Sequence, residues 1–349
     1  MVRRLTRLVG VLTAILAAIA VTPSRAADKV APTTVRIGVI GILAEAGLYV
    51  AAERGYFTEE GLNVEFLKDM VGADAFPGLA TGQIDGVGGS FGPELANAVL
   101  RGVRIKLVAG LNSYIPGWDA GALTIRKELI DNGRVKDWKD LKGLKIGITA
   151  PLPNMTDFFA SRYLAQGGLT FSDVEFVTVP FPNMISALKT GGIDAAHTSE
   201  PMTTLAVDNK IAVKWRPVST YAPPGLTVAI LQFGPSLLDK APDVGERFVT
   251  AYLRGARYYD EALARPDGKA EIAPILMKYT PLKDRSIYDR ISFSYAPPDG
   301  EISVTGLEAM STYYATHNGP NAGDVSKLVD DRFQKAALKR LGLYKKSGG

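Results

Sequence analysis

The sequence contains no cysteine. That excludes disulfides, thiolate metal sites and a lipid-modified cysteine at an export cleavage point. It has only two histidines, His197 and His317, far apart in the chain. They offer no Ser-His-Asp spacing, and neither a paired-carboxylate motif nor a phosphate-binding glycine loop accompanies them, so the chain carries no recognisable catalytic constellation and nothing that favours a metal or cofactor. The apolar run from Leu8 to Val21 falls short of the roughly 20 residues a membrane-spanning helix needs. Low-complexity tracts and blocks of like charge are also missing. The formal net charge of +4 has a local origin: Arg3, Arg4, Arg7 and Arg25 lie in the first 26 residues with no acid among them. Without those four, the 40 basic residues become 36, equal to the 36 acids, so no electrostatic footprint for nucleic acid or an anionic membrane remains.

Those first residues read as a secretory signal peptide, segment 1–26, with an arginine-bearing start, the apolar run, and Ser24-Arg25-Ala26 at the cleavage point. Export without disulfides suits a bacterial periplasm, where a chain of 349 residues that is 46% hydrophobic can rely on its apolar core.

The main organising feature is a repeat. Thr81-Gly-Gln-Ile-Asp-Gly-Val-Gly-Gly-Ser90 recurs as Thr190-Gly-Gly-Ile-Asp-Ala-Ala-His-Thr-Ser199 with half of its positions identical, and Arg36-Ile-Gly-Val-Ile40 matches Lys145-Ile-Gly-Ile-Thr149 at the same offset. A unit this long is no solenoid repeat and implies two similar lobes with a cleft between them. In each copy, strands (35–40, 62–67, 84–88, 105–109; then 144–148, 174–179, 193–196) alternate with helices (45–54, 75–81, 91–101; then 155–165, 183–189, 201–208). This predicts α/β lobes, each a doubly wound, mostly parallel sheet. Similar apolar strands at Leu123–Ile125 and Leu226–Val228 mark two crossings between lobes, the signature of a hinge. The boundaries expected are 35–117 plus 226–349 for the first lobe and 118–225 for the second. Beyond Pro235 the pattern is helical, with the stripe Val244, Phe248, Ala251, Tyr252, Gly255, Tyr259, Ala262 and further helices at 272–279, 304–316 and 325–341 expected to pack on the first lobe.

The run Gly47-Leu-Tyr-Val-Ala-Ala-Glu-Arg-Gly-Tyr-Phe-Thr-Glu-Glu-Gly-Leu-Asn-Val-Glu-Phe66, with Gly78-Leu-Ala-Thr-Gly-Gln-Ile-Asp85, resembles the solute-binding proteins of ABC importers in the nitrate, sulfonate and taurine group, whose relatives bind thiamine-precursor pyrimidines. The resemblance extends from about Val35 to Val228. It implies a two-lobed periplasmic binding protein of the second type, with C-terminal helices completing the first lobe. It also implies a monomer that captures a small organic solute of sulfonate, amino or heteroaromatic type, and delivers it to an ABC permease and its ATPase. A thiamine-pyrimidine-synthase-like enzyme is the alternative the same fold suggests, although that family uses a cysteine-rich motif. A ligand-sensing receptor uncoupled from import is another.

Small ligands of open α/β sheets sit beyond the carboxyl ends of the strands, where helix N-termini expose N–H groups. Those ends are 40–45, 88–93 and 110–118 in the first copy and 149–156 and 197–201 in the second. The expected ligand contacts are Leu43, Glu45, Ser90, Phe91, Asn112, Ser113 and Trp118, then Asn154, Met155, Thr156, Ser199 and Glu200. Ser90 and Ser199 occupy matching positions and either cap a helix or meet the ligand. Phe91, Tyr114 and Trp118 offer aromatic walls, and the family places contacts at the turn around Asn154 and Thr156. Asp85 and Asp194 recur in the repeat and read as structural. None of the five loops holds a lysine or arginine while Glu45 and Glu200 stand in them, which favours a neutral, zwitterionic or amine-bearing ligand over nitrate or sulfate.

Overall fold

The computed structural model describes residues 32–68 and 70–346. The signal-peptide segment 1–26 lies outside the described residues. The strands are β1 (Thr33–Val39), β2 (Leu62–Lys68), β3 (Gly86–Gly89), β4 (Lys106–Ser113), β5 (Gly121–Arg126), β6 (Lys145–Ile148), β7 (Glu175–Thr178), β8 (Ala195–Ser199), β9 (Ala212–Pro217) and β10 (Thr227–Phe233). They form two five-stranded sheets of order β2-β1-β3-β10-β4 and β7-β6-β8-β5-β9. Each sheet therefore has the same plan, three parallel strands followed by an antiparallel pair of connections. The mostly parallel sheets expected from the sequence are found: four of the five strands in each run the same way, and only β10 and β5 are opposed. Those two are the strands that follow the crossings, and each enters its sheet from the cleft end.

Four of the five identical positions of the repeat have a mechanical task away from the cleft; the fifth pair, Ser90 and Ser199, lines the cavity described below. Gly82 and Gly191 end helices Ala75–Thr81 and Met184–Thr190 in the left-handed conformation, with φ of 79° and 73°, where a Cβ would be strained. The hydroxyls of Thr81 and Thr190 donate to the carbonyls of Pro77 and Ser186, both at 3.0 Å. Ile84 and Ile193 are buried. Asp85 and Asp194 act as staples: their carboxylates accept from the N–H of Arg36 (2.8 Å) and Lys145 (3.0 Å), and their own N–H groups donate back to the carbonyls of those residues. Each staple joins the start of one parallel strand to the next, and their structural reading from the sequence holds.

The stripe of helix Pro242–Leu263 is buried throughout. It crosses helix Ala46–Glu53 so closely that a Cβ on Gly255 would lie 2.3 Å from the Gly47 carbonyl oxygen. Two other C-terminal expectations change. The helix predicted over 325–341 is broken into Val325–Leu328 and Arg332–Leu341 because Val329 pairs beside Leu107 and covers the exposed edge of β4. Helix Val304–Thr316 packs on more than the first lobe, since Tyr313 meets Phe158 and Asp157 of the second.

Candidate ligand-binding site

A cavity of about 340 Å³ lies where the carboxyl ends of the parallel strands of both sheets converge. Its first wall is the loop after β1 (Ile40, Ile42, Leu43, Ala44, Glu45) with Gly88 and Gly89 at the end of β3 and Ser90 beyond it, and its second is Met155, Phe181, Ser199 and Glu200. Asn112, Tyr114, Val228 and Ala229 on the crossing strands, with Ala120 and Ser294, close the remainder. A surface concavity of about 690 Å³ around Arg126 and Lys210 and another of about 400 Å³ around Trp118 and Tyr344 are walled by neither set of strand ends.

Seven of the expected contacts line this cavity: Leu43, Glu45, Ser90, Asn112, Met155, Ser199 and Glu200. Phe91, Ser113, Trp118, Asn154 and Thr156 do not, each for a local reason. Phe91 is turned into the core against Tyr314, with ring centroids 6.3 Å apart. Ser113 donates its hydroxyl to Thr227 at 3.1 Å, joining the two crossings side by side. Trp118 packs on Tyr295 and Tyr259 on the outer surface. Asn154 is the N-cap of helix Met155–Gln166; its Oδ1 accepts from the N–H of Thr156 (2.7 Å) and of Asp157 (3.4 Å), and its Nδ2 donates to the Ala150 carbonyl (2.7 Å). Thr156 closes the same turn, accepting from the Thr149 N–H at 3.0 Å and donating to Asn154 Oδ1 at 2.6 Å. Ser90 and Ser199 cap no helix; Tyr114, buried beside Ser199, has its phenol pushed up to about 12 by burial, a shift the neighbouring Ser199 side chain reduces.

Sequence reasoning missed Ile40, Ile42, Phe181 and Ser294. Ile40 and Ile42 are the residues on either side of the Gly41 turn, and Phe181 follows β7. The carboxyl end of β7 faces the cleft like those of β6 and β8, so extending the strand-end rule to every parallel strand would have found it. Ser294 arrives on an irregular segment tied to β4 through the Ser113–Tyr295 bridge, and no sequence period announces it.

The two acids are buried and already engaged. Glu45 accepts from the backbone N–H groups of Ile40 (2.9 Å), Gly41 (2.9 Å) and Ile42 (3.1 Å) and from the Tyr49 hydroxyl (2.6 Å). Burial pushes its carboxyl above the usual range, and those four donors pull against the shift. Glu200 accepts from the Thr204 N–H at 3.0 Å and from the Ser292 N–H at 3.4 Å, with Lys214 Nζ 4.0 Å away. Burial raises its carboxyl too, opposed by Thr204 and Lys214.

Contacts across the cleft flank the cavity on both sides. On one, the Tyr313 hydroxyl donates to the buried Asp157 carboxylate. On the other, Ser292 meets Glu200, Lys214 Nζ donates to Ser292 Oγ at 3.0 Å, and Arg290 Nε donates to Asp208 at 3.0 Å. Behind the second wall, His197 is enclosed by aromatics: its Nδ1 is 2.7 Å from the Tyr221 hydroxyl and its ring stacks on Phe159 at 4.2 Å.

A family described as NMT1/THI5 like matches residues 44–268, more than half of the chain. The nitrate/nitrite binding protein NrtA of Nostoc sp. is 28% identical over 197 residues, 53% of this chain and 44% of that protein, so the chain matches less than half of that relative's length. A putative aliphatic sulfonates-binding protein of Bacillus subtilis is 25% identical over 87% of this chain and 88% of its own length. A 4-amino-5-hydroxymethyl-2-methylpyrimidine phosphate synthase of Aspergillus parasiticus is 26% identical over 73% of each. Among solved structures, the periplasmic nitrate-binding protein NrtA from Synechocystis PCC 6803 superposes with a TM-score of 0.71 at 16% identity, covering 90% of each chain, which shows the two-lobed fold.

Proposed function

The chain belongs to the NMT1/THI5-like family, and from that premise we propose that it is the solute-binding component of an ABC importer. It is exported to the periplasm, acts as a monomer and hands its solute to a membrane permease and ATPase. The lobes 35–117 plus 226–349 and 118–225 open and close as units about the two crossings, enclosing a small organic solute in contact with Leu43, Glu45, Ser90, Asn112, Met155, Ser199 and Glu200.

The observation that carries this reading is the cavity built from strand ends of both lobes and bridged on both sides by hydrogen bonds between them. Such bridges form only when the lobes meet, so a ligand that adds contacts to both walls shifts the population toward closure by its difference in affinity for the two forms. The synthase-like relative argues for chemistry. Against it, the sequence has no cysteine, and His197, the histidine nearest the cavity, is enclosed among Phe159, Tyr221 and Tyr114 behind the wall.

The test begins with native mass spectrometry of the chain lacking residues 1–26, to identify what co-purifies, then calorimetry and small-angle X-ray scattering on refolded protein with and without that compound. The compound should bind unchanged and contract the scattering envelope, and its uptake should fail in cells deleted for the chain. Chemical conversion of the bound compound, or binding without contraction, would overturn the proposal.

A further inference from the structure

Resting on that reading of the cavity, we infer that its ligand is a small molecule with an apolar body and a hydrogen-bond-donating nitrogen head, an amine or amide, and that the site is closed to oxyanions.

The first support is what has become of the donors an oxyanion would need. Backbone N–H groups at strand ends and helix starts form anion-binding nests. Here three such sets around the cavity are already occupied by side chains of the protein itself. The N–H groups of Ile40, Gly41 and Ile42 converge on the Glu45 carboxylate. Those of Thr204 and Ser292 face the Glu200 carboxylate. Those of Thr156 and Asp157 face Asn154 Oδ1. An oxyanion entering the cavity finds no lysine or arginine on its walls and two buried carboxylates in them, so it would surrender its hydration without compensation.

The second support is what is left free. Asn112 lies on the cavity wall, is only 4% exposed, and its Oδ1 has no hydrogen-bond partner. That oxygen is enclosed in the wall, and turning the side-chain amide over presents it to the cavity, where a ligand N–H satisfies it. Glu45 Oε1 receives a single donor, the Ile40 N–H, and lies over Gly88, where a Cβ would come within 3.0 Å of it. The remaining side-chain hydroxyls, those of Ser90, Tyr114, Ser199 and Ser294, can accept as well as donate.

The third support is the apolar wall. Ile40 and Ile42 are 44% and 39% exposed, large apolar side chains held open within one turn of chain, and both face the cavity. Leu43 stands beside them, and Met155 and Phe181 belong to the opposite wall. A volume of about 340 Å³ is at the small end of ligand cavities, enough for one ring and a short chain. Closing Phe181 and Met155 onto a ring seated on Ile40 and Ile42 buries apolar surface on both lobes at once.

The experiment uses matched probes with one body and different heads: phenethylamine and phenylacetamide against phenylmethanesulfonate, with nitrate and sulfate as plain oxyanions, titrated calorimetrically into refolded chain at constant ionic strength. The nitrogen-headed pair should bind at least tenfold tighter than the sulfonate. Asn112→Leu should weaken the nitrogen-headed probes at least tenfold while leaving the melting temperature of the free protein within a few degrees. Equal or tighter binding of the sulfonate or of nitrate overturns the inference, as does failure of both nitrogen-headed probes to bind at millimolar concentration. Either result leaves the solute-binding reading standing if an oxyanion or another co-purified compound contracts the envelope unchanged, whereas conversion of a bound compound overturns that reading instead.

Discussion

His197 offers a quantitative test of how dry the second wall of the cavity is. Its ring is 3% exposed, stacked on Phe159 and bonded to Tyr221, and burial alone pushes its pKa from 6.5 down to about 3. The folded protein therefore holds the imidazole neutral, while the unfolded chain takes up a proton as pH falls below 6.5. Because the folded value is depressed, the stabilising contribution is complete above pH 6.5 and declines as pH falls toward 3. The slope is about 1.4 kcal/mol per pH unit for one proton, so between pH 6.5 and 4.5 the loss from this residue is about 3 kcal/mol.

The perturbation is His197→Gln, which keeps a hydrogen-bonding group toward Tyr221 and removes the titration. Losing the stacked ring costs the variant about 1–2 kcal/mol at pH 7.5, but the diagnostic quantity is the slope. Urea denaturation followed by circular dichroism at pH 7.5, 6.5, 5.5 and 4.5 should show the unsubstituted protein losing about 3 kcal/mol more than the variant across the acidic interval. The raised carboxyls of Glu45, Asp157 and Glu200 act in the opposite sense, favouring the folded state as pH falls through their folded pKa values. They are common to both proteins and cancel in the difference. Parallel stability curves from pH 6.5 to 4.5 would refute the reasoning, since they would require that the folded protein protonates His197 as readily as the unfolded chain does.

Glu45→Ala strands three N–H groups and the Tyr49 hydroxyl and should cost about 3–5 kcal/mol; because the vacated nest binds anions, acetate at 100 mM should raise the urea midpoint of the variant more than chloride does, with no such difference in the unsubstituted protein. Asp85→Ala and Asp194→Ala each remove one strand staple and should lower stability by about 1–3 kcal/mol; Asp194 should be the costlier because it also holds Arg126 at 2.9 Å, and equilibrium unfolding of both variants gives the comparison. Tyr313→Phe deletes the bridge to Asp157; stopped-flow release of the co-purified ligand should accelerate several-fold with little change in the association rate, and an unchanged release rate would show that the bridge does not hold the lobes closed.

Much of the architecture was legible because the repeat records mechanical tasks that sequence can express. A threonine and glycine ending a helix, an isoleucine entering the core and an aspartate at a strand start are recognisable wherever they recur, and the stripe of helix Pro242–Leu263 declared its buried face by spacing alone. The site was legible only in part. Strand-end loops can be located from topology, but whether a polar group on such a loop faces a ligand depends on whether the protein has already claimed it. Asn154 and Asp157 stand three residues apart at a helix start, the spacing of a capping box, and that spacing was the available sign that Asn154 was engaged. Ser113 and Trp118 carried no comparable sign, because their partners Thr227, Tyr259 and Tyr295 come from distant parts of the chain.

The two copies also divide along their length in a way that explains the cavity. At the far end of strands β3 and β8, Thr, Gly, Ile and Asp are the same in both, because both sheets need the same helix stop and the same staple. Toward the cleft they part: Gly86-Val-Gly-Gly89 in one copy, Ala195-Ala-His-Thr198 in the other. In the first lobe the strand must be bare, since a Cβ on Gly88 would press on Glu45 Oε1 and one on Gly89 would lie 2.8 Å from Gln232 Nε2. The carboxylate that occupies the N–H nest therefore lies directly over the strand. In the second lobe the corresponding space is filled, by His197 against Phe159 and by Thr198, which shares hydrogen bonds with Thr124 and Thr203. One jaw thus presents a carboxyl already held by the N–H nest beneath an apolar lip, and the other a dry aromatic backing behind Ser199. Neither jaw places a lysine or arginine on the cavity wall, and the two differ where the repeat leaves the helix stop and the strand staple behind.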